Sequence, residues 1–177
     1  MKIRIVFCLV AHALFLSCTI EHSKSIEDFE IHPDFKIELV ASEPLVYDPV
    51  DMQFSPSGKA YVLEMPGYPL RDEQSRIILL QDIDNDGIYD ERKVYADSLG
   101  VASSFMFYND GFLVASPPHL IWISDQDFDG SADERVHIMD GFSNENLQHN
   151  FNGLTYGLDN WIYAANGGNS GKPYFFS

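Results

Sequence analysis

The chain of 177 residues has only two cysteines, Cys8 and Cys18, so beyond position 18 no disulfide framework is possible. Basic residues are scarce. Eleven Lys and Arg stand against 27 Asp and Glu, a formal net charge of −16 that argues against nucleic acid and anionic lipid surfaces as partners. No window sustains a helical period over three turns, and neither a glycine-rich phosphate loop nor a G-x-S-x-G elbow is present. What the chain does hold is 45% hydrophobic and 14% aromatic residues, enough for a packed core. Metal cations are its natural counter-ions.

The N-terminus has its own character. MKIR supplies two positive charges, Ile5 to Leu16 is apolar apart from His12, and LFLSC follows. Residues 1–17 read as a secretory signal, too short for a stable membrane span. Ser17 before Cys18 resembles the lipobox of bacterial lipoproteins, with Phe15 where Leu is commoner. The expectation is an exported chain anchored through lipidated Cys18, at the periplasmic or outer surface, touching the membrane by that anchor alone. An ordinary signal peptide is the competing reading. Residues 18–33 are polar without a sustained period and read as a tether.

From residue 34 onward short apolar runs recur: FKIELV, KAYVLEM, RIILLQ, RKVYA, FLVA, LIWIS, RVHIM, LTYGL and WIYAA. Between them stand SPSG, DNDG, YND, DFDG and LDN, the pattern of an all-β fold. Two repeats interleave. DIDNDGIYDE from Asp82 and DQDFDGSADE from Asp125 are 43 residues apart, with RIILLQ and LIWIS before them. Aromatic-turn-strand segments begin at Phe54, Phe107 and Tyr156, at intervals of 53 and 49 residues. An all-strand unit of roughly 40 to 50 residues is the signature of a β-propeller blade, a hairpin with its turn at SPSG and a second closed by the Asp loop. A sandwich needs no such repeat. Residues 34–177 hold about three blades, fewer than the at least four of a closed propeller. The expectation is the N-terminal part of a longer protein.

Both Asp loops carry Asp at positions one, three, five and nine and Gly at six. Asp82, Asp84, Asp86 and Asp90 form one set, Asp125, Asp127, Asp129 and Asp133 the other, with the Ile88 and Ser131 carbonyls at position seven. Four carboxylates in nine residues repel one another unless a cation neutralises them, and hard oxygen ligands select calcium. Position twelve is Lys93 or Val136, so the bidentate Glu of a helical calcium hand is missing. The expected role is structural. Because Asp and Gly form turns anyway, an acidic β-turn is the competing reading, which the second copy in register weakens.

Candidates for catalysis are few. His119 and His137 sit beside apolar strand residues and read as packed or edge residues. His149 lies in NLQHNFNG, a polar segment leading into a strand, and strand entrances of a propeller face the central channel. An imidazole there is a candidate general base, with a hydrogen-bonded loop residue as the plain alternative.

The run HNFNGLTYGLDNWIYAANG from His149 to Gly167 resembles the soluble PQQ-dependent sugar dehydrogenases, in which a catalytic His precedes a strand, a G-x-D turn and an aromatic strand ending in Gly. Closer still are secreted bacterial proteins with "membrane-bound dehydrogenase" domains, six-bladed in the complete family. Their N-terminal propeller has a similar FKIELVASEPLVYDPVDMQFSPSGKAYVLEMPGYP run, two Asp loops and the His149 segment. The resemblance covers nearly everything from Phe35 to Gly171. It implies His149 as the base that takes a proton from a sugar or alcohol hydroxyl, with PQQ as cofactor in the complete propeller and a haem-bearing region or later blades as electron acceptor. Two departures stand out: the PQQ-contacting residues belong to later blades, and no C-x-x-C-H is present. The fragment by itself is expected to be inactive. A calcium-stabilised propeller that binds a glycan or protein without catalysis is the alternative. A calcium-dependent lactonase-like hydrolase is a third reading, disfavoured because loops with every oxygen committed leave no open metal position.

Overall fold

The computed structural model of the chain describes residues 26–66, 68–69 and 74–176; the expected signal segment, Cys18 and the start of the expected tether lie outside the described residues. The chain divides between Glu38 and Leu39 into two units. In the first, a 3₁₀ turn at Ile26–Asp28 is followed by exposed irregular chain. No described residue belongs to a helix long and apolar enough to cross a membrane.

The second unit is all-β. Strands β1 (Pro49–Phe54), β2 (Ala60–Glu64), β3 (Arg76–Gln81) and β4 (Glu91–Ala96) form an antiparallel meander in chain order. The plan repeats in β5 (Ser104–Tyr108), β6 (Gly111–Ser116), β7 (His119–Ser124) and β8 (Glu134–Asp140). A third unit begins with the hairpin of β9 (Asn152–Tyr156) and β10 (Ile162–Ala165). The short β11 (Tyr174–Phe175) pairs with the outer edge of β8. These are propeller-type blades, two complete and one begun, and the described residues close no ring. SPSG turns β1 into β2, YND turns β5 into β6, and each Asp loop joins the third strand of its blade to the fourth, as the repeat spacing predicts.

One strand expectation fails. FKIELV, from Phe35 to Val40, contains no strand, and all six residues are exposed. Strand propensity without a pairing partner does not hold a chain extended. The first strand is instead PVDMQF, where Pro49 sits at the strand start, a position that tolerates it.

The second and third strands of each blade are nearly continuous apolar runs because they are covered on both faces. One face of the first blade packs against the second blade through Tyr61, Leu63, Ile77 and Tyr95 on one side and Phe105, Phe112, Val114 and Ile123 on the other. Phe112 is its hub, with ring centroids at 4.7 Å from Tyr61, 5.2 Å from Phe105 and 5.5 Å from both Tyr95 and Phe107. Each such pair adds roughly 0.5–1.5 kcal/mol beyond burial. The opposite face of the second blade meets Phe142, Phe151 and Leu154. The opposite face of the first is covered by Ala41, Leu45, Val46 and Tyr89.

The first strands of the three units lie side by side, since β5 touches both β1 and β9. The outer strands are fastened differently. Lys93 Nζ donates to the Asp129 carbonyl at 2.5 Å, the Ala132 amide donates to the Tyr95 carbonyl at 2.6 Å, and Arg135 donates to the Asp97 and Ser98 carbonyls. The outer strand of one blade is thereby tied to the Asp loop and outer strand of the next.

Candidate functional site

The Asp loops owe their shape to their own carboxylates. In the first, Asp82 Oδ2 accepts the Gly87 amide at 2.9 Å, Asp86 Oδ1 accepts the Ile88 amide at 2.7 Å and Asp90 Oδ2 accepts the Ile83 amide at 2.8 Å. In the second, Asp125 Oδ2 accepts the Gly130 amide at 2.7 Å, Asp129 Oδ1 the Ser131 amide at 2.7 Å and Asp133 Oδ1 the Gln126 amide at 3.0 Å. Gly87 and Gly130 both have φ of 91°, a left-handed turn that a side chain would strain, so the glycine at position six is structurally required.

The bonding leaves other oxygens for a cation. Single oxygens of Asp82, Asp84 and Asp90 lie within 4.8 Å of one another, as do those of Asp125, Asp127 and Asp129. That is the spread a calcium ion spans with Ca–O bonds of about 2.4 Å. Asp86 and Asp133 fall outside these sets and act as loop caps. Asp82 Oδ1 is buried and has no hydrogen-bond partner. A buried carboxylate oxygen left unpaired is costly, and a cation in the first loop would remove that cost. The described ion pairs include none to the first loop, whereas Lys93 Nζ comes to 3.6 Å from Asp129 Oδ1 in the second. Lys93 is position twelve of the first loop, so the residue that cannot ligate its own loop serves its neighbour's.

His149 ends a 3₁₀ turn, Leu147–His149, immediately before β9. Asn146 caps the turn, its side chain accepting the Gln148 amide at 3.1 Å and its carbonyl the His149 amide at 3.0 Å. Asn169 holds the cap from the far side, donating Nδ2 to the Ser143 and Asn146 carbonyls at 3.0 and 3.1 Å and accepting the Asn146 amide at 3.2 Å. Buried Asn150 is 3.5 Å from the same Nδ2. Gly167 and Gly168 press on the histidine: a Cβ on Gly168 would stand 2.5 Å from His149 Nδ1, and one on Gly167 would meet the His149 carbonyl at 2.5 Å. Side-chain-free backbone is what admits the ring here, while the residue stays exposed. Leu147 lines a hollow of about 400 Å³ with Asp48, Pro49, Val50, Met65 and Tyr68, at the start of β1.

The His149 segment and the Asp loops were legible in the sequence. The clamp by Asn169 and the two glycines was not, although the GGN at 167–169 was its trace. His119 and His137, which the sequence offers only as packed or edge residues, are brought together with Asp140 by the fold. Cys18, the expected lipidation site, lies outside the described residues.

A family model described as a domain of unknown function, DUF7133, matches residues 21–175. No curated protein and no solved structure matches the chain.

Proposed function

The chain belongs to the DUF7133 family, and on that premise we propose that it is the propeller portion of an exported sugar- or alcohol-dehydrogenase-type protein, its blades fastened by calcium and its proton acceptor His149. The observation that carries this reading is the seat of His149: an exposed imidazole on a doubly clamped turn, at the entrance of one of the three inner strands. A base held by backbone and amide contacts, not by a flexible loop, is what proton abstraction from a hydroxyl requires. Calcium fits the loops, on the evidence of the unpaired Asp82 Oδ1 and the converging carboxylates. It would be held by Asp82, Asp84 and Asp90 in one loop and by Asp125, Asp127 and Asp129 in the other, neutralising charge and fixing the outer turns.

The described residues supply no cationic cradle for PQQ, which on this reading would come from later blades. Its carboxylates need cations, and among the described residues no Lys or Arg lines the hollow beside Leu147. No hydride-transfer step is therefore drawn, and the role of this chain's own residues stops at positioning and proton acceptance by His149.

A second reading, a calcium-stabilised propeller that binds a glycan, is favoured by one observation. Trp161, 70% exposed, lies beside Asp159 and Tyr163 on the third hairpin, an aromatic face next to a carboxylate. The two readings separate experimentally. The longest natural reading frame, expressed with calcium, is titrated with PQQ and assayed with aldoses or alcohols and a dye acceptor, beside His149→Ala. Quinone binding with activity that falls about 10²- to 10⁴-fold in the variant supports the dehydrogenase. No quinone binding would overturn it.

A further inference from the structure

Outside the sites already described, we propose that His119, His137 and Asp140 form a binding site for a borderline divalent metal ion of the zinc class. The site lies on the last two strands of the second blade. One ligand atom from each residue lies within 4.8 Å of the others. His119 Nδ1 contacts Asp140 Oδ1, and His137 Nδ1 stands 3.8 Å from the same oxygen. The imidazole rings are 4.5 Å apart at 64°.

A backbone irregularity brings the three together. Ile121 pairs with His137 but Leu120 pairs with Met139, so one extra residue is inserted in β8 between them. Residues three apart on a regular strand face opposite sides; the inserted residue returns Asp140 to the face of His137. Consistent with this, consecutive Ile138 and Met139 both pack on the core of the other face. The first blade has the same irregularity at the matching place, where Ile77 pairs with Ala96 and Ile78 with Val94. There the matching residues are Arg76, Val94 and Asp97, with no histidine. The bulge therefore belongs to the blade plan, and the two imidazoles are an addition to it.

One nitrogen is left without a purpose by protein contacts alone. His137 Nδ1 is buried and has no hydrogen-bond partner. Hydrogen bonding to Asp140 would engage His119 only, whereas a cation between the three groups engages both imidazoles. Ligand atoms in a tetrahedral zinc shell are roughly 3.4 Å apart, so the 3.8 Å between His137 and Asp140 needs a small closure and the close His119–Asp140 contact must open. Two imidazoles with one carboxylate suit zinc and its neighbours in preference to calcium, which distinguishes this site from the all-oxygen loops. The two imidazoles each keep 37% of their side-chain surface exposed and Asp140 keeps 14%, so solvent reaches the cluster from the histidine side and can supply a water as fourth ligand. Phe176, with its ring 5.6 Å from His137, walls one side.

The test uses the full chain, stripped with chelator and then saturated with calcium to occupy the Asp loops. Cobalt(II) is expected to bind at one equivalent with the visible bands of a tetrahedral site and to be displaced by zinc. His119→Ala and His137→Ala should each weaken cobalt binding at least ~10-fold, and Asp84→Asn and Asp127→Asn should leave it unchanged. Because either histidine variant could disturb folding, nitrogen NMR of the wild-type chain supplies a second readout: zinc should shift the Nδ1 resonances of two histidines that pack on each other and leave His149 unmoved. Absence of micromolar cobalt binding, binding indifferent to both histidine variants, or zinc-induced shifts confined to other histidines would overturn the site.

Discussion

Asp51 on β1 reaches across to the next blade and accepts the Phe105 amide through Oδ2 at 3.1 Å. Ser104 repeats the relationship one blade later, its Oγ accepting the Leu154 amide at 3.1 Å. Asp51 and Ser104 are 53 residues apart, the interval between Phe54 and Phe107. Side chains of the inner strands thus bridge blades that share no backbone ladder.

Asp51→Ala removes that bridge and also the bond from the Met52 amide to Oδ1 at 2.8 Å. The Phe105 amide is then left unpaired in a half-buried seam, a loss of about 1–3 kcal/mol. Urea titration of the variant should show the lower midpoint at an unchanged slope. Asp51→Asn keeps an acceptor oxygen and should recover much of the loss.

Glu64, fully buried, joins three parts of the first blade. Its Oε2 takes Arg76 Nε at 2.6 Å and Arg92 Nη2 at 3.0 Å, while Oε1 takes the Tyr47 amide at 2.8 Å. Removing one member of a buried pair costs about 3–5 kcal/mol; both arginines reach solvent, so Glu64→Ala belongs at the lower end, about 3 kcal/mol. Thermal unfolding checks the value, and a variant as stable as the wild type would remove Glu64 from the framework.

Calcium at 100 times its dissociation constant should stabilise the folded chain by about 2.7 kcal/mol for each site of equal affinity. Asp84→Asn and Asp127→Asn should each remove one site in isothermal titration, leaving the other. Heats unchanged by both substitutions would reduce the loops to acidic turns.

Tyr61 and Tyr95 set an alkaline limit on the seam between the blades. Burial raises the Tyr95 phenol well above its ordinary 10.0, with the Tyr61 ring and the carboxylates of Asp125 and Asp133 adding to the effect. Tyr61 is raised by burial first and by Asp125 second. A folded value above the unfolded one means that stability is complete below about pH 10 and is lost as pH rises beyond it. Tyrosinate absorbance should show these phenols ionising last, together with unfolding. Cation binding at Asp125 should lower both, because it cancels a neighbouring negative charge.

The blade plan was legible because it is written in intervals: 43 residues between the Asp loops, 53 and 49 between the aromatic turns. The loops were legible because Gly87 and Gly130 occupy the one position where φ is 91°. FKIELV misled because its apolar alternation lacks a partner strand, and pairing is a tertiary property. PVDMQF was overlooked because Pro and Asp disguise a strand whose Asp51 bonds to another blade. The His119–His137–Asp140 cluster depends on an inserted strand residue that has no signature in the letters.

The outer link from Lys93 to Asp129 has a consequence for which contacts are local in the chain and which are not. Each blade is made from adjacent sequence, whereas every bridge between blades needs the following one in place. Each Asp loop closes the hairpin of its blade's third and fourth strands, so whatever steadies that loop steadies the local half of the fold first.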